Sequence, residues 1–489
     1  MQIFENKISN STYRKALNSQ KKFLRKFGDD RNTEYHLSLA DNNVLTPPFG
    51  CKVIQTNSVS SFAETLPSKP VIIGNIRMGF GHYRISMAMA SAARALGYTP
   101  LWMDLNSFPE TTATKIISYQ NELYSKGSRL SQQPNFFSKT FNKLFWEPLN
   151  YTGFKKLSYN AGDQITSELM TPLFREIPKD IPFIATHVWP SQAAVHAGMK
   201  NVINAIPDNW PMALHLSQGA VHTVQTYNAY WGYRSLNGFD SKKILNPMNR
   251  DDIVFTGHYI DHELVSNIEK DCEARINRAK NSQPIRFLFT IGGAGAQGEF
   301  FASMINTLLP YVKQNKACLF INCGDYQNVW TMLCNKIPDL KNGSIQTTEH
   351  FNNWEEELAF SNNALTSEAN GIHAFCNKDI FAAVYITNLL MRASDILITK
   401  PSELAFYPVP KLFIQHVGGH EMWGAIHSAE LGDGTQECET PEAADNIIKM
   451  IMEDTTLIET MCHNIIKEKN KGTYDGAYNV IKLGEHEYE

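Results

Sequence analysis

The sequence has no apolar run of about 18 residues, which is the length that a membrane-spanning helix requires. Its N-terminal region lacks the apolar core of a secretory signal, and none of its eight cysteines forms a Cys-x-x-Cys pair. Neither sign of charge is in excess, because 45 Lys and Arg residues stand against 49 Asp and Glu residues, for a net charge of -4. These absences argue against a membrane-spanning protein, a disulfide scaffold and a nucleic-acid binder. We therefore expect a cytoplasmic protein with reduced thiols and no nucleic-acid partner.

The composition that remains is globular. Of the 489 residues, 43% are hydrophobic, 11% are aromatic and 19% are charged, which excludes wholesale disorder. At about 100–200 residues per domain, a chain of this length is expected to hold about two to four domains.

The same local pattern occurs twice along the chain: a short apolar run, a glycine-bearing loop and a stretch of strong helix formers. Short apolar runs of this kind are typical of strands that are buried on both faces of a parallel sheet. The first copy predicts strands at 71–73 and 99–105 around a helix at 83–96; the second predicts strands at 285–291 and 317–322 around a helix at 299–312. Other predicted strands are 183–186, 202–206, 253–256, 396–399 and 412–415, and helices are predicted over 106–180, 380–393 and 441–482.

The fold class that this repetition predicts is α/β, with two Rossmann-like domains facing each other across a cleft. The predicted boundaries are an N-terminal extension at 1–69 with irregular chain over 41–69, an N-terminal domain at 70–271, a linker around 272–283, a C-terminal domain at 284–450 and a helical tail at 451–489. Ligands of such sheets bind beyond the carboxyl ends of the strands, so the loops there are the candidate site.

The first of these loops is GNIRMGFGH, which ends at His82. Gly79 and Gly81 allow the backbone to approach a ligand closely, and the helix that follows presents N–H groups at its start. His82 at that helix start can act as a general base. The alternative is a tight turn in which His82 only packs or caps the helix.

The second loop contains Gly292, Gly293, Gly295 and Gln297 between a predicted strand and a predicted helix. Small residues at a helix N-terminus suit a diphosphate. The alternative is a turn without a ligand, although two such loops, one opening each half, favour the functional interpretation.

A third candidate segment follows the strand predicted at 396–399. Glu403 can accept both hydroxyls of a ribose, and Ser402, beside Lys400, can help to bind phosphate. The alternative role of Glu403 is to cap a helix.

The same segment continues to His420 and Glu421, which can hydrogen-bond a sugar or can form an ordinary surface pair. Together with His416 they also admit interpretation as a metal cluster. We disfavour that interpretation because a catalytic zinc needs three close protein ligands with defined outer partners.

These motifs together resemble the GT-B glycosyltransferases, and within them the branch of monogalactosyldiacylglycerol synthase and the N-acetylglucosaminyltransferase that forms lipid II. The similar segments are GFGH, IGGAGAQG and ITKPSELAFYPVPKLFIQHVGGHEMWGA, and the resemblance covers about 70–435. The sequence departs from that branch in the first loop, where Asn-Ile-Arg-Met replaces a run of glycines, and before Glu403, where Pro-Ser replaces a glycine-rich pair.

The resemblance implies an inverting transfer of a sugar from a nucleotide-sugar donor, usually a UDP-sugar, to an acceptor hydroxyl. His82 matches the position that activates the acceptor, and Glu403 matches the acid that binds the ribose. His420 and Glu421 stand where the family often has two Gln residues on the donor sugar. We expect no cofactor and no obligatory metal, because positive helix ends would neutralise the donor diphosphate.

Asp208, in the segment IPDNWP after a predicted strand, is the second candidate for the catalytic base. Its alternative role is to form a turn. Two other functions stay open for the whole chain: a nucleotide-sugar 2-epimerase of the same two-domain fold, and a non-catalytic protein that binds a nucleotide sugar.

Region 123–159 combines six basic side chains, a single acid at Glu147 and several interleaved aromatic residues. Such a helical insert resembles the membrane-surface element of lipid-glycosylating relatives, which would make the protein peripheral on a membrane and give it a lipid partner. The alternative is that the aromatic side chains pack into the core and the lysines are solvated.

Overall fold

The computed structural model describes residues 1–58, 62–131, 140–240, 242–291 and 297–486. It divides the chain into two compact units. The first unit comprises Met1–His262, Gly418–His420 and Asp475–Glu489, and the second comprises Glu263–Val417 and Glu421–Tyr474. Each unit is built on a largely parallel sheet with helices, so the predicted α/β class with two Rossmann-like domains is confirmed.

The first unit contains ten strands in the described residues. They are β1 (Gln2–Ile3), β2 (Asn6–Lys7), β3 (His36–Asp41), β4 (Lys52–Asn57), β5 (Pro70–Asn75), β6 (Thr99–Asp104), β7 (Phe183–Ala185), β8 (Val202–Ala205), β9 (Val221–Val224) and β10 (Ile253–Phe255). β1 and β2 form a small antiparallel pair, and the other eight form one sheet in the order β10-β9-β8-β7-β5-β6-β4-β3. That sheet is parallel except for β3, which runs antiparallel to β4 at the edge.

Helices cover both faces of this sheet. The α-helices are Asn10–Phe27, Thr46–Phe49, Gly81–Ala95, Thr112–Ser131, Leu157–Ser167, Val188–His196, Tyr227–Ser235 and Gly476–Gly484, with π-helical turns at Asn142–Trp146 and Leu149–Gly153. Alternate residues of β5 enter different cores: Val71 and Ile73 pack with helix Gly81–Ala95, and Ile72 packs in the opposite cluster. This two-sided burial explains the continuous apolar run of the strand.

Two sequence-based expectations about the chain outside the sheet cores are wrong. The segment expected to be irregular, 41–69, contains β4, which pairs with β6 and carries β3 on its outer side. The linker expected around 272–283 is mostly helix, because the chain is helical over Ile268–Lys280 and buries Cys272 and Arg275 there. Polar sequence was misleading in both places because one face of each element is exposed.

Among its described residues, the second unit contains seven strands, all parallel. They are β11 (Ile285–Thr290), β12 (Ala317–Asn322), β13 (Thr347–Phe351), β14 (Gly371–Cys376), β15 (Ile396–Thr399), β16 (Lys411–Ile414) and β17 (Gly434–Cys438), in the sheet order β13-β14-β12-β11-β15-β16-β17. The α-helices are His262–Val265, with which the chain leaves the first unit, Ile268–Lys280, Gly298–Lys313, Gln327–Lys336, Trp354–Ala364, Ile380–Ala393, Met422–Leu431, Pro441–Glu453 and Thr456–Asn470. All eight cysteines of the protein are buried free thiols.

The last helix, Gly476–Gly484, returns to the first unit. Its residues Ala477, Val480 and Ile481 share a buried cluster with residues of β5, β7 and β8. Gly476 is required there, because a Cβ at this position would lie 2.1 Å from the carbonyl oxygen of Gly257.

Candidate functional site

The strand order of the first sheet reverses at β5: β6 pairs on one side of β5, and β7, the next strand of the sheet in the chain, pairs on the other side. Ligands of open α/β sheets bind at such a switch point, beyond the carboxyl ends of the strands. His82 follows β5, His187 follows β7, and Asp208 follows β8. Three polar side chains therefore come from the expected edge of the sheet.

His82 is half-buried and is fixed by contacts with Thr186, the residue after β7. Its Nδ1 lies 2.6 Å from the carbonyl oxygen of Thr186, and the Thr186 hydroxyl donates to the carbonyl oxygen of His82 at 3.3 Å. A carbonyl oxygen only accepts, so Nδ1 carries the proton and the neutral ring bears its lone pair on Nε2. This is the tautomer that a general base on Nε2 requires.

His187 and His82 are in contact, with ring centroids 4.7 Å apart at an interplanar angle of 82°. Burial lowers the pKa of His187 well below its ordinary value, and the charges of His82 and His215 lower it further. His187 is therefore a neutral ring that packs beside the candidate base.

Asp208 forms a hydrogen-bonded pair with His215, whose Nε2 lies 2.8 Å from Asp208 Oδ2. The His215 side chain is buried, whereas 24% of the Asp208 side chain is exposed. Burial would raise the pKa of Asp208, but the hydrogen bond from His215 and the charges of nearby histidines, His420 and His82 among them, outweigh it and lower that pKa. Asp208 is thus a persistent carboxylate, which makes it a weak base and a strong electrostatic partner.

The glycine loop between β5 and its helix bends as the sequence predicts. Gly79 has a φ of 95°, in the left-handed region that favours glycine, and Gly81 is the first residue of the helix. Asn75, which ends β5, is fully buried, and neither atom of its side-chain amide has a hydrogen-bond partner among the described residues. Such an amide at the carboxyl edge of a sheet points to a polar ligand or an ordered water.

The sheet of the second unit has its own switch point, between β11 and β15. Gly292, Gly293 and Gly295, predicted to bind a diphosphate, lie outside the described residues. Gln297 is described: it precedes helix Gly298–Lys313, and its side-chain amide donates to the carbonyl oxygen of Gln415, beyond β16. Gln297 therefore joins the start of helix Gly298–Lys313 to the segment after β16.

Lys400, Ser402 and Glu403 follow β15 at the same edge, and all three are half-buried. Lys400 is paired with Glu421, whose other carboxylate oxygen accepts a hydrogen bond from the Val417 N–H at 2.8 Å. Glu403 is the first residue of a 3₁₀ turn that extends to Phe406, and the N-cap position of that turn is Ser402.

His420 belongs to the short segment that is part of the first unit. In that segment the Gly419 N–H donates to Glu147 Oε2 at 3.2 Å. His416, in the second unit, is engaged elsewhere, because its Nδ1 lies 2.8 Å from Glu437 Oε1. Within the described part of the chain, no three His, Cys, Asp or Glu side chains come together as metal ligands.

Sequence reasoning missed two histidines of the first unit. His187 directly follows a strand that the sequence predicts, so its position alone was a usable signal. His215 carried no signal, because its contact with Asp208 depends on the 3₁₀ turn Ala213–His215, which Asn204 fixes by donating to the His215 carbonyl oxygen at 2.6 Å.

In region 123–159, of which 132–139 lies outside the described residues, some large apolar side chains are buried and others are exposed to solvent. Trp146 and Phe154 are buried, as the core interpretation predicts. Leu144, Phe145 and Leu149 are instead 61%, 65% and 42% exposed. In the described residues, no helix is both long and apolar enough to cross a bilayer.

Comparisons with known proteins give two family matches. Residues 2–235 match the model of a domain of unknown function, DUF6937, and residues 248–485 match that of a second domain of unknown function, DUF6938. A search of the curated proteins gave no match.

Several solved structures are similar to this chain. The UDP-GlcNAc 2-epimerase from Neisseria meningitidis bound to UDP-GlcNAc is 12% identical, with a TM-score of 0.42, and the match covers 85% of this chain and 98% of that one. A glycosyltransferase from Rickettsia africae ESF-5 is 13% identical, with a TM-score of 0.37 and coverages of 85% and 97%. The spinosyn rhamnosyltransferase SpnG is 12% identical, with a TM-score of 0.39 and coverages of 84% and 99%. None of the three belongs by name to the monogalactosyldiacylglycerol synthase branch, which stays a prediction.

Proposed function

We propose that this protein is a glycosyltransferase that moves a sugar, with inversion, from a nucleotide-sugar donor to an acceptor hydroxyl. The observation that supports this most directly is the placement of the candidate residues in both units. Polar and titratable side chains collect at the switch point of each sheet, where α/β folds bind their ligands.

In the first unit, His82 would take the proton of the acceptor hydroxyl on Nε2, since Thr186 fixes the required tautomer. Asp208, held as a carboxylate by His215, would stabilise the imidazolium that forms when His82 takes this proton. Asp208 then serves as a charge partner of His82 and not as the base itself.

In the second unit, the donor would occupy the carboxyl edge between β11 and β15. Glu403 would accept hydrogen bonds from the ribose hydroxyls, and Lys400 with Ser402 would contact the diphosphate. Lys400 is paired with Glu421, so on donor binding the Lys400 ammonium group would give up part of its contact with Glu421 and contact the phosphate oxygens instead.

Incubation of the purified protein with UDP-sugars tests the proposal against its alternatives. Release of UDP that depends on an added acceptor supports transfer, whereas conversion to a C2-epimeric sugar without an acceptor identifies an epimerase. Binding without turnover identifies a sensor. A thermal-shift panel of UDP-, GDP-, ADP- and TDP-sugars selects the donor first, because a ligand that binds the native state raises its apparent stability.

Replacing Glu403 by alanine is expected to weaken donor binding at least tenfold. A hydrogen bond to a charged group contributes about 1.5–3 kcal/mol, and a ribose offers this carboxylate two hydroxyls. Isothermal titration calorimetry with the selected nucleotide sugar measures the effect, and Glu453→Ala, an exposed acid at the end of its helix, is the matched control. Unchanged affinity with a lowered melting temperature would instead assign Glu403 to helix capping.

The proposal includes an acceptor that lies in a membrane, and the exposed side chains Leu144 and Phe145 support this. The double variant Leu144→Ser/Phe145→Ser is expected to lose most of its co-sedimentation with vesicles that contain about 30% anionic lipid, because partly inserted apolar side chains anchor interfacial helices. Ile244→Ser removes an apolar side chain elsewhere that is even more exposed, at 102%, and should bind like the wild type. Equal sedimentation of all three proteins would remove the membrane from the proposal.

A further inference from the structure

A groove outside both switch points lies on the helix Tyr227–Ser235 of the first unit. Its volume is about 570 Å³, and its lining consists of Tyr230, Trp231, Arg234, Ser235, Pro247 and Arg250. That volume falls within the range of about 300–1,000 Å³ that is usual for small-molecule sites. Neither the glycine loops nor the histidine cluster contributes to it, so the proposed transfer reaction does not use it.

The apolar part of the groove is an indole that is open to solvent. Trp231 is 66% exposed, which is unusual for a residue type that is highly buried on average, and aromatic side chains are enriched at binding surfaces. The Tyr230 ring stands nearly perpendicular to the Trp231 ring, at 80° and 5.8 Å between centroids, so the two rings do not form a parallel pair around a flat ligand. A ligand would therefore stack on the indole and not between two rings.

The charged part of the groove is positive. Arg234 and Arg250 line it, and no carboxylate does. Two acids lie near the arginines, although neither lines the groove. Asp251 is 3.6 Å from Arg250, but both side chains are more than 80% exposed, and ion pairs of this kind contribute little. Burial raises the pKa of Asp252, and the charge of Arg234 opposes that shift. Two guanidinium groups beside a flat apolar face select an anion that also carries a ring.

We propose that this groove binds an anionic saccharide, with one pyranose face packed on Trp231 and its carboxylate or sulfate held by Arg234 and Arg250. A saccharide fits better than a nucleotide, because a nucleobase gains most between two parallel rings and the two rings of this groove are nearly perpendicular. The Ser235 hydroxyl adds a neutral partner for sugar hydroxyls. This proposal does not depend on the transfer reaction.

Calorimetric titration of the full-length protein tests the proposal with three probes: trigalacturonate, its neutral methyl ester and inorganic sulfate. We expect trigalacturonate to bind and the ester and sulfate to bind at least tenfold more weakly. Trp231→Ala and the double variant Arg234→Gln/Arg250→Gln should each lose roughly tenfold or more in affinity, as truncated aromatic and arginine anchors do. Lys242→Gln/Lys243→Gln removes two exposed charges outside the groove and should change affinity less than about twofold.

Three results would overturn the proposal. The first is no binding of trigalacturonate to a wild-type protein whose melting curve shows that it is folded. The second is binding that Trp231→Ala leaves intact, which would mean a site for anions only. The third is tighter binding of uridine monophosphate than of trigalacturonate that is lost in Trp231→Ala and retained in Glu403→Ala, which would assign the groove to a nucleotide.

Discussion

Replacing His82 by alanine is expected to lower turnover about 10²–10⁴-fold, the usual contribution of a general base. The expectation rests on the fixed ring of His82, whose Nδ1 is bound to the Thr186 carbonyl oxygen. Donor affinity should barely change, because the proposed donor residues belong to the second unit. In the wild type the rate should fall as the pH is lowered, because a protonated imidazole accepts no proton, and this acidic limb should be absent from the variant.

Steady-state kinetics across a pH series, together with calorimetric donor titration, measure both parts of this expectation. His463→Ala is the matched control, because that histidine is 62% exposed on a helix of the second unit. Full turnover of His82→Ala would remove the base role. A variant that keeps its turnover per folded molecule but melts at a lower temperature would leave His82 as a structural residue.

The second large effect is expected in the buried ion pair of the second unit, between Lys411 and Asp433. Both side chains are at most 1% exposed, and Lys411 Nζ lies 2.9 Å from Asp433 Oδ2. Asp433 also accepts hydrogen bonds from Ser428 and Tyr474. Burial lowers the pKa of Lys411, and the charge of Asp433 opposes that shift. Lys411→Met leaves the Asp433 carboxylate buried without its cationic partner, so it should cost about 3–5 kcal/mol of stability.

Urea denaturation followed by circular dichroism measures this loss. The double variant Lys411→Met/Asp433→Asn should recover part of it, since removing both charges also removes their desolvation cost. A single variant as stable as the wild type would contradict the expectation. Equal losses in the single and double variants would show that the hydrogen bonds from Lys411 Nζ to the carbonyl oxygens of Tyr407 and Val409 matter more than the unpaired charge.

Strands that contain an apolar run could be predicted from the sequence, and strands interrupted by polar residues could not. The edge strand β10, with the sequence IVF, was predicted, whereas the interior strands β9 (VHTV) and β14 (GIHAFC) were missed. The predicted bounds of β12 and β15 coincide with the structure, because a central parallel strand is a continuous apolar run. β13 has the sequence TTEHF and β17 has GTQEC, and these outer strands expose part of their side chains. The polar residues of β13 and β17 interrupt any apolar run, so the local sequence pattern does not indicate a strand at either place.

The candidate site could also be predicted only in part. His82 and Glu403 could be proposed from position alone, because each follows a predicted strand at the edge where ligands bind. The hydrogen-bonded and ionic pairs at the site could not be predicted from the sequence. Asp208 meets His215 through a turn, and Lys400 meets Glu421 across a gap of 21 residues. Such contacts depend on how loops from different strands meet, which local pattern does not specify.

The return of the C-terminal helix sets the order in which a nascent chain can mature. The ribosome finishes every strand of the first sheet before it begins the second, yet one face of β5, β7 and β8 waits for Ala477, Val480 and Ile481. Those side chains are synthesised only after the second sheet. The first sheet therefore has an incompletely covered apolar face while the second sheet is being made, and a truncation before helix Gly476–Gly484 would damage a sheet whose strands were all made earlier.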